Sequence, residues 1–242
     1  IAKMTHANRK IGLGIMGWAD MLIVLGIPYN SRAAIELGVK VMAFVNDEGH
    51  NASRELARQR GSFLNFDGSV FSLRGEPPIR NATVTTIAPT GTISIIANAS
   101  SGIEPIFAVS FVRQVLDNNI LVEVHPLFEE MARQRGIYSD GLMEKIAEHG
   151  TVREIVEIPD DMRAIFVTAH DITPQDHVRM QAAFQKHTDN AVSKTVNFPR
   201  TATVEEVREA YELAYKLDCK GVTIYRDGSR ENQVLSTAKS QQ

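Results

Sequence analysis

The stretch NATVTTIAPTGTIS, residues 81–94, decides the fold. Its first part, from Asn81 to Ile87, is rich in β-branched residues and alternates in the manner of a β-strand. The second part passes through a proline and a glycine to the apolar pair Ile95 and Ile96, where we expect a helix-like segment to begin. A strand followed directly by a helix is a building unit of α/β folds, so this stretch predicts that class.

Signals for further elements lie on both sides of this stretch. Helices are predicted over residues 17–25, from Ser31 as N-cap to about Arg60, from Thr173-Pro174, and from the capping box of Thr203 and Glu206. Further strands are predicted over residues 106–115, 164–168 and 221–225, while residues 136–163 follow no clear pattern. We expect one domain over residues 1–230 and a flexible polar tail over residues 231–242.

The bulk composition excludes several classes of function. A net charge of −3 and a pI near 6.2 leave no basic footprint for a nucleic acid polymer. No apolar run approaches the roughly 18–20 residues that span a bilayer, so no membrane association is expected. A single cysteine, Cys219, rules out a disulfide within the chain and fits a cytoplasmic protein. We expect this thiol to pack between a helix and a strand.

The glycines Gly12, Gly14 and Gly17 match the spacing of the dinucleotide-binding fingerprint. That motif needs a buried strand directly before it, and residues 6–10 (HANRK) are too polar to form one. The acidic residue expected about 20 positions later would be Glu36, which falls inside a helical pattern. We therefore predict no nicotinamide or flavin binding and keep a Rossmann dehydrogenase as a remote alternative.

The turn after the first strand is the best candidate for binding an anion. Backbone N–H groups at a helix start lack partners, and neighbouring hydroxyls can join them around a phosphate. The candidate substrate-binding residues are Pro89, Thr90, Gly91, Thr92, Ile93 and Ser94. No lysine follows the glycine, so the turn is not a Walker loop. A polar turn with a hydroxyl N-cap explains the same residues equally well.

Other catalytic patterns are weak. No two histidines stand three or four residues apart, so no metal site is predicted. His170 and Asp171, in a loop between a strand and a helix, are a further candidate functional pair. No Gly-x-Ser-x-Gly nucleophile elbow is present.

Five stretches together resemble one family. They are residues 9–18 (RKIGLGIMGW), 81–94 (NATVTTIAPTGTIS), 101–105 (SGIEP), 193–199 (SKTVNFP) and 220–229 (KGVTIYRDGS). Stretches like these recur in this order in class II ribonucleotide reductases, and the resemblance extends from residue 6 to about residue 230.

This resemblance implies a fold, a substrate and a cofactor. The fold would be the second half of the ten-stranded α/β barrel of the ribonucleotide reductase and glycyl-radical type. The loop of residues 89–94 would hold the phosphates of a ribonucleotide, and the assembled enzyme would use adenosylcobalamin. The resemblance also distinguishes class II from class I. Class I enzymes carry two adjacent tyrosines on the last barrel strand, whereas here Tyr225 is followed by Arg226.

The chain departs from the family in its cysteines. The family reaction needs a radical cysteine and two redox cysteines, and Cys219 alone cannot supply them. We therefore expect no catalytic residue in this chain, and an N-terminal half, encoded separately or removed, that bears the radical cysteine and is re-reduced by an external thiol. A half-barrel exposes apolar edges, so we expect an oligomer. The alternative is a non-catalytic nucleotide-binding or scaffolding module derived from a reductase.

Overall fold

The computed structural model describes residues 1–114 and 120–229. The described helices are α1 (Ala2–Asn8), α2 (Trp18–Val24), α3 (Arg32–Arg60), α4 (Val70–Leu73), α5 (Gly91–Ala97), α6 (Pro126–Gln134), α7 (Asp140–His149), α8 (Asp160–Ile165), α9 (Pro174–Gln185) and α10 (Val204–Lys216). The described strands are β1 (Ser110–Gln114), β2 (Ile120–Val124), β3 (Thr195–Phe198) and β4 (Thr223–Arg226). Strands β1 and β2 pair antiparallel, whereas β3 and β4 pair parallel.

The predicted helix starts are confirmed where a polar side chain caps the helix. The Ser31 hydroxyl accepts a hydrogen bond from the N–H of Ala34, which satisfies one of the free amides of α3. Thr203 and Glu206 form both bonds of the capping box at α10. These caps need only residues three positions apart, which is why the sequence reveals them.

The predicted strand over residues 81–87 is extended but forms isolated bridges rather than a continuous ladder. Thr85 bridges Leu13 and Ile87 bridges Val192, both in parallel. The Leu13 N–H donates to the carbonyl of Val84 at 2.7 Å on one side, and the N–H of Ser193 donates to the carbonyl of Ile87 at 2.9 Å on the other. The segment therefore lies in the middle of a three-stranded parallel arrangement.

The prediction of a strand over residues 164–168 is wrong. Helix α8 continues to Ile165, and of the predicted strand only Thr168 makes a bridge, to Ile106. The helix is favoured because Met162 and Ile165, three residues apart, bury the same face in the core. Residues 136–163, unassigned from the sequence, contain α7 and the start of α8.

The other strand predictions are close to the structure. The prediction over residues 106–115 corresponds to β1, although residue 115 lies outside the described residues. The prediction over residues 221–225 corresponds to β4, shifted by two residues at its start. The predicted tail of residues 231–242 also lies outside the described residues, so it stays a prediction together with the domain limits.

Helix α9 packs against both α2 and the long helix α3 around the ring of Phe184. Trp18 and Phe184 meet edge to face, with ring centroids 5.0 Å apart, and both are fully buried. Gly38 makes this packing possible because a Cβ atom there would lie 2.9 Å from the Phe184 ring. Within the residues that the structure describes, no helix is both long and apolar enough to cross a membrane.

Candidate functional site

The turn at residues 89–94 leads directly into α5 and is exposed at Pro89 and at residues 91–93. The helix begins at Gly91, four residues earlier than the expected start near Ile95. Thr90 is its N-cap residue and has a φ of 53°, in the left-handed region that β-branched residues rarely adopt. The first-turn amides of an α-helix lack intrahelical acceptors, so this end of α5 presents free N–H groups.

The three hydroxyls of the turn differ in their surroundings. Thr92 is exposed. Ser94 is buried, and its hydroxyl donates to the carbonyl of Gly91 at 3.0 Å. The Thr90 Oγ1 atom accepts a 2.7 Å hydrogen bond from the N–H of Gly102. Thr92 is therefore the hydroxyl of the three that is most available to a ligand.

A second turn, residues 101–104, holds the first one in place. The Ser101 hydroxyl donates to the carbonyl of Pro89 at 2.5 Å, next to the bond between Gly102 and Thr90. Gly102 has a φ of 50°, and a Cβ atom there would lie 3.2 Å from the carbonyl oxygen of Ala88. Glycine is needed here both for its conformation and for the close approach of the two turns.

A cavity of about 910 Å³ opens beside these turns. Of the six predicted residues, Ser94 lines it, together with Glu104 from the second turn. Its walls are largely apolar and include Met21 from α2, Ile95 from α5 and Phe107. A cavity of this size suits a nucleotide-sized ligand.

One polar pair in the cavity wall was not predicted. Asp20 Oδ1 lies 3.3 Å from His125 Nε2, and its Oδ2 accepts a 2.6 Å hydrogen bond from the N–H of Ser100. Burial acts to raise the pKa of Asp20, but the bonds from His125 and Ser100 outweigh it, so the pKa is lowered. Asp20 is 80 positions or more from each of its two partners, and no sequence motif joins them.

A buried ionic network supports the other side of the cavity. Lys194 is fully buried, and its ammonium group donates to Glu104 Oε2 at 2.6 Å and lies 2.9 Å from His177 Nδ1. Burial lowers the pKa of Lys194, against the effect of Glu104. Burial, with the charge of Lys194, also lowers the pKa of His177 to about 3, so its ring is neutral near pH 7. Lys194 and Glu104 lie in stretches that the sequence singled out, but their pairing was not predicted.

The fingerprint glycines serve backbone packing. A Cβ atom at Gly14 would lie 2.1 Å from the carbonyl oxygen of Thr86, in the neighbouring extended segment. Gly17 has a φ of 78° and is the N-cap residue of α2. Both glycines therefore have structural explanations that do not involve a dinucleotide.

The remaining singled-out residues have packing contacts. The Asp171 carboxylate accepts bonds from Thr151 Oγ1 and from the N–H of Thr168, which fixes its own loop. His170 is exposed, and its ring contacts Phe107 at the cavity. Cys219 packs against the cluster around Phe198, and burial raises the pKa of its thiol to about 11. In residues 1–114 and 120–229 no three His, Cys, Asp or Glu side chains are grouped so as to hold a metal ion.

Comparison with known proteins identifies the family. The family described as "Ribonucleotide reductase, barrel domain" matches residues 1–75 and 72–225. Two similar proteins are named vitamin B12-dependent ribonucleoside-diphosphate reductase. That of Thermoplasma acidophilum is 55% identical over all of this chain, and one from Mycobacterium tuberculosis is 51% identical over 98% of it. The chain spans 31% and 34% of the length of these relatives.

A solved structure supports the fold independently. The class Id ribonucleotide reductase alpha subunit of Actinobacillus ureae superposes with a TM-score of 0.79 at 22% identity, over 93% of this chain and 40% of that subunit. At this identity the likeness concerns the fold alone, and it confirms the predicted α/β barrel architecture. The chain belongs to the ribonucleotide reductase barrel-domain family.

Proposed function

We propose that this chain forms the substrate-phosphate part of an adenosylcobalamin-dependent ribonucleotide reductase, which converts ribonucleotides to 2′-deoxyribonucleotides by thiyl-radical chemistry. The observation that carries the proposal is the turn of residues 89–94, in which residues 91–93 are exposed at the start of α5 and Ser94 lines a cavity of about 910 Å³. The names of the relatives support the reaction and a ribonucleoside diphosphate as the substrate.

In this proposal the turn of residues 89–94 binds the phosphates of the ribonucleotide and thereby orients its ribose. Free N–H groups at a helix start favour an anion, and a fixed phosphate sets the position of the attached ribose relative to a radical. Ser94 and Glu104, both at the cavity, lie where a nucleotide held by the turn could extend. Positioning of this kind raises the rate without any group of this chain taking part in bond breaking.

The radical chemistry is assigned to an N-terminal half. Cys219 is the one cysteine here, and a thiol with a pKa near 11 is protonated and poorly nucleophilic at neutral pH. The proposed partner segment supplies the radical cysteine and the redox pair, and an external thiol re-reduces that pair. Arg226 stands where a second tyrosine would be needed for a long-range radical relay, and it is exposed, which favours a radical generated locally.

In this proposal the cofactor is held mainly outside this chain. Adenosylcobalamin supplies the initiating radical when its cobalt–carbon bond breaks. A corrinoid has several times the mass of a nucleotide, and a cavity of about 910 Å³ accommodates only part of it. Among the described residues no three His, Cys, Asp or Glu side chains are grouped so as to hold a metal ion. They do not form a complete site for the cofactor, and we assign none of them to it.

The test is ribonucleotide reduction with adenosylcobalamin, measured with and without the N-terminal half. We expect activity only when both are present. In the assembled enzyme, Thr92→Val should raise the apparent KM for the ribonucleotide on the order of tenfold, because a hydroxyl bond to phosphate is lost. Folding should be unchanged because Thr92 is exposed.

Thr201→Val is the matched control, since Thr201 is exposed in a turn before α10. It should leave the KM unchanged. An unaltered KM in Thr92→Val would contradict the phosphate role. Nucleotide binding without any reduction in the assembled protein would favour a non-catalytic module instead.

A further inference from the structure

The turn of residues 101–104 connects two parts of the molecule that are far apart in the sequence. On one side it binds the candidate phosphate loop, through Gly102 to Thr90 and through Ser101 to Pro89. On the other side Glu104 binds β3. Its Oε1 atom accepts a 2.6 Å hydrogen bond from the N–H of Thr195. Glu104 and the loop are therefore linked through one short turn.

Glu104 is itself held by a buried cation. Lys194 has an exposed side-chain fraction of 0%, and its three protons have three acceptors in Glu104 Oε2, His177 Nδ1 and the carbonyl of Thr195. His177 Nε2 lies 3.0 Å from the carbonyl of Ala169, which fixes the ring with Nδ1 as the acceptor. A fully bonded ammonium group allows Glu104 few alternative positions.

A tyrosine adds a further contact to the same turn. The Tyr29 hydroxyl donates a 2.6 Å hydrogen bond to the carbonyl of Ile103, inside the same turn. Its ring lies 5.8 Å from the Lys194 ammonium group, in the range of a cation–π contact. The turn is thus held by its contacts with the phosphate loop, with β3 and Lys194, and with Tyr29.

The loop has a physical need for such support. Thr90 is a β-branched residue with a φ of 53°, a conformation that persists only where surrounding contacts impose it. The N–H of Gly102 supplies one of those contacts. If the second turn relaxed, Thr90 would be free to return to an ordinary conformation, and the N–H groups at the start of α5 would turn with it.

From these contacts we infer that Glu104, held by Lys194, is a positioning residue that sets the geometry of the phosphate loop for the ribonucleotide. The inference rests on the proposed function of that loop and extends it to a pair of residues 90 positions apart. Glu104 acts through Ser101 and Gly102, and it does not need to contact the phosphates.

The experiment uses the assembled enzyme, with this chain and its N-terminal half. Glu104→Gln keeps the shape and the acceptor for the N–H of Thr195 but removes the charge that orients Lys194. We expect the KM for the ribonucleotide to rise on the order of tenfold while kcat changes by less than about twofold. Inhibition by inorganic pyrophosphate should weaken by the same factor, because pyrophosphate reports on the loop without the ribose.

A second variant separates positioning from folding. The double variant Glu104→Gln/Lys194→Met replaces the ion pair with neutral groups, a change that often restores stability. We expect its unfolding midpoint to return towards that of the wild type while the KM stays high. Glu129→Gln, which breaks the surface pair of Glu129 with Arg133, is the control and should change neither quantity.

Hydrogen exchange gives a readout that does not depend on catalysis. In Glu104→Gln, the amides of Gly102 and of residues 90–94 should exchange faster than in the wild type, while those of α3 are unchanged. Unchanged exchange in these residues, or a lower kcat at unchanged KM and pyrophosphate inhibition, would overturn the inference. Faster exchange in an enzyme whose wild type binds neither ribonucleotide nor pyrophosphate would instead show that the proposed function fails while the positioning of the loop stands.

Discussion

The carboxylate of Asp189 accepts a 2.7 Å hydrogen bond from the N–H of Val84, across 105 positions of the chain. The same carboxylate accepts from the N–H of Thr85 and lies 2.8 Å from His50 Nε2 on α3. Burial acts to raise the pKa of Asp189, but these bonds outweigh it and lower the pKa to about 2. One side chain thus joins the extended segment before the phosphate loop to the longest helix.

Replacement of this carboxylate should destabilise the fold. In Asp189→Asn the charge-assisted bonds to two backbone amides and to His50 are weakened, so we expect the free energy of unfolding to fall by about 1–3 kcal/mol. Urea denaturation followed by circular dichroism measures this. Asp47→Asn, on the exposed side of α3, is the control and should have little effect. Equal midpoints for the two variants would show that the Asp189 bonds contribute nothing net.

Two glycine substitutions should have opposite effects. Gly14→Ala places a Cβ atom 2.1 Å from the carbonyl oxygen of Thr86, and relieving that overlap should cost about 1–3 kcal/mol of stability. Gly141→Ala, in the first turn of α7, meets nothing within 4 Å and should stabilise the protein by about 0.4–1 kcal/mol, because alanine has less freedom to lose on folding. Thermal unfolding of both variants beside the wild type checks the prediction. A stable Gly14→Ala protein would mean that the two extended segments are not in contact.

The protein should lose stability in acid through His177. Its pKa is lowered from 6.5 to about 3 by burial and by Lys194, so the folded state resists a proton that the unfolded state accepts. The contribution of the neutral His177 ring to stability is complete above pH 6.5. It is lost at roughly 1.4 kcal/mol per pH unit as the pH falls from 6.5, and the loss is complete once the pH has passed through about 3. Urea unfolding at several pH values measures the slope.

The variant His177→Gln isolates this contribution. Glutamine can still donate to the carbonyl of Ala169 and accept from Lys194, but it does not titrate. Its stability should therefore depend less on pH between 6.5 and 3 than that of the wild type. Parallel pH dependences for the two proteins would contradict the burial of a neutral ring.

The sequence predicts part of the candidate site and misses the rest. The turn of residues 89–94 was predicted because a strand, a proline, a glycine and a helical pattern follow one another there. The start of α5 was placed four residues too late because Thr90 ends the extended segment in a left-handed conformation that its own residue type disfavours. The contact that imposes this conformation comes from Gly102, outside the local pattern.

The strands too are predicted only in part from the sequence. The alternation of residues 81–87 predicted an extended backbone, but the bridges to Leu13 and Val192 depend on segments about 70 and 105 positions away. The sequence predicts a strand over residues 164–168 because they form a short apolar run. Short apolar runs occur both in strands and in buried helices, so the pattern does not distinguish the two. In the structure, burial of Met162 and Ile165 on one face favours helix α8.

By itself, the sequence determined the elements whose signals are local: the caps at Ser31 and Thr203, the turn before α5 and the α/β alternation. These depend on hydrogen bonds and periodicities within a few residues, which a linear pattern records. Only the tertiary structure decided that Lys194 meets Glu104, that Asp20 meets His125, and that a cavity opens between them. Such pairs form because packing brings distant backbone segments together, and burial then selects the partners that satisfy each other's charge and hydrogen bonds.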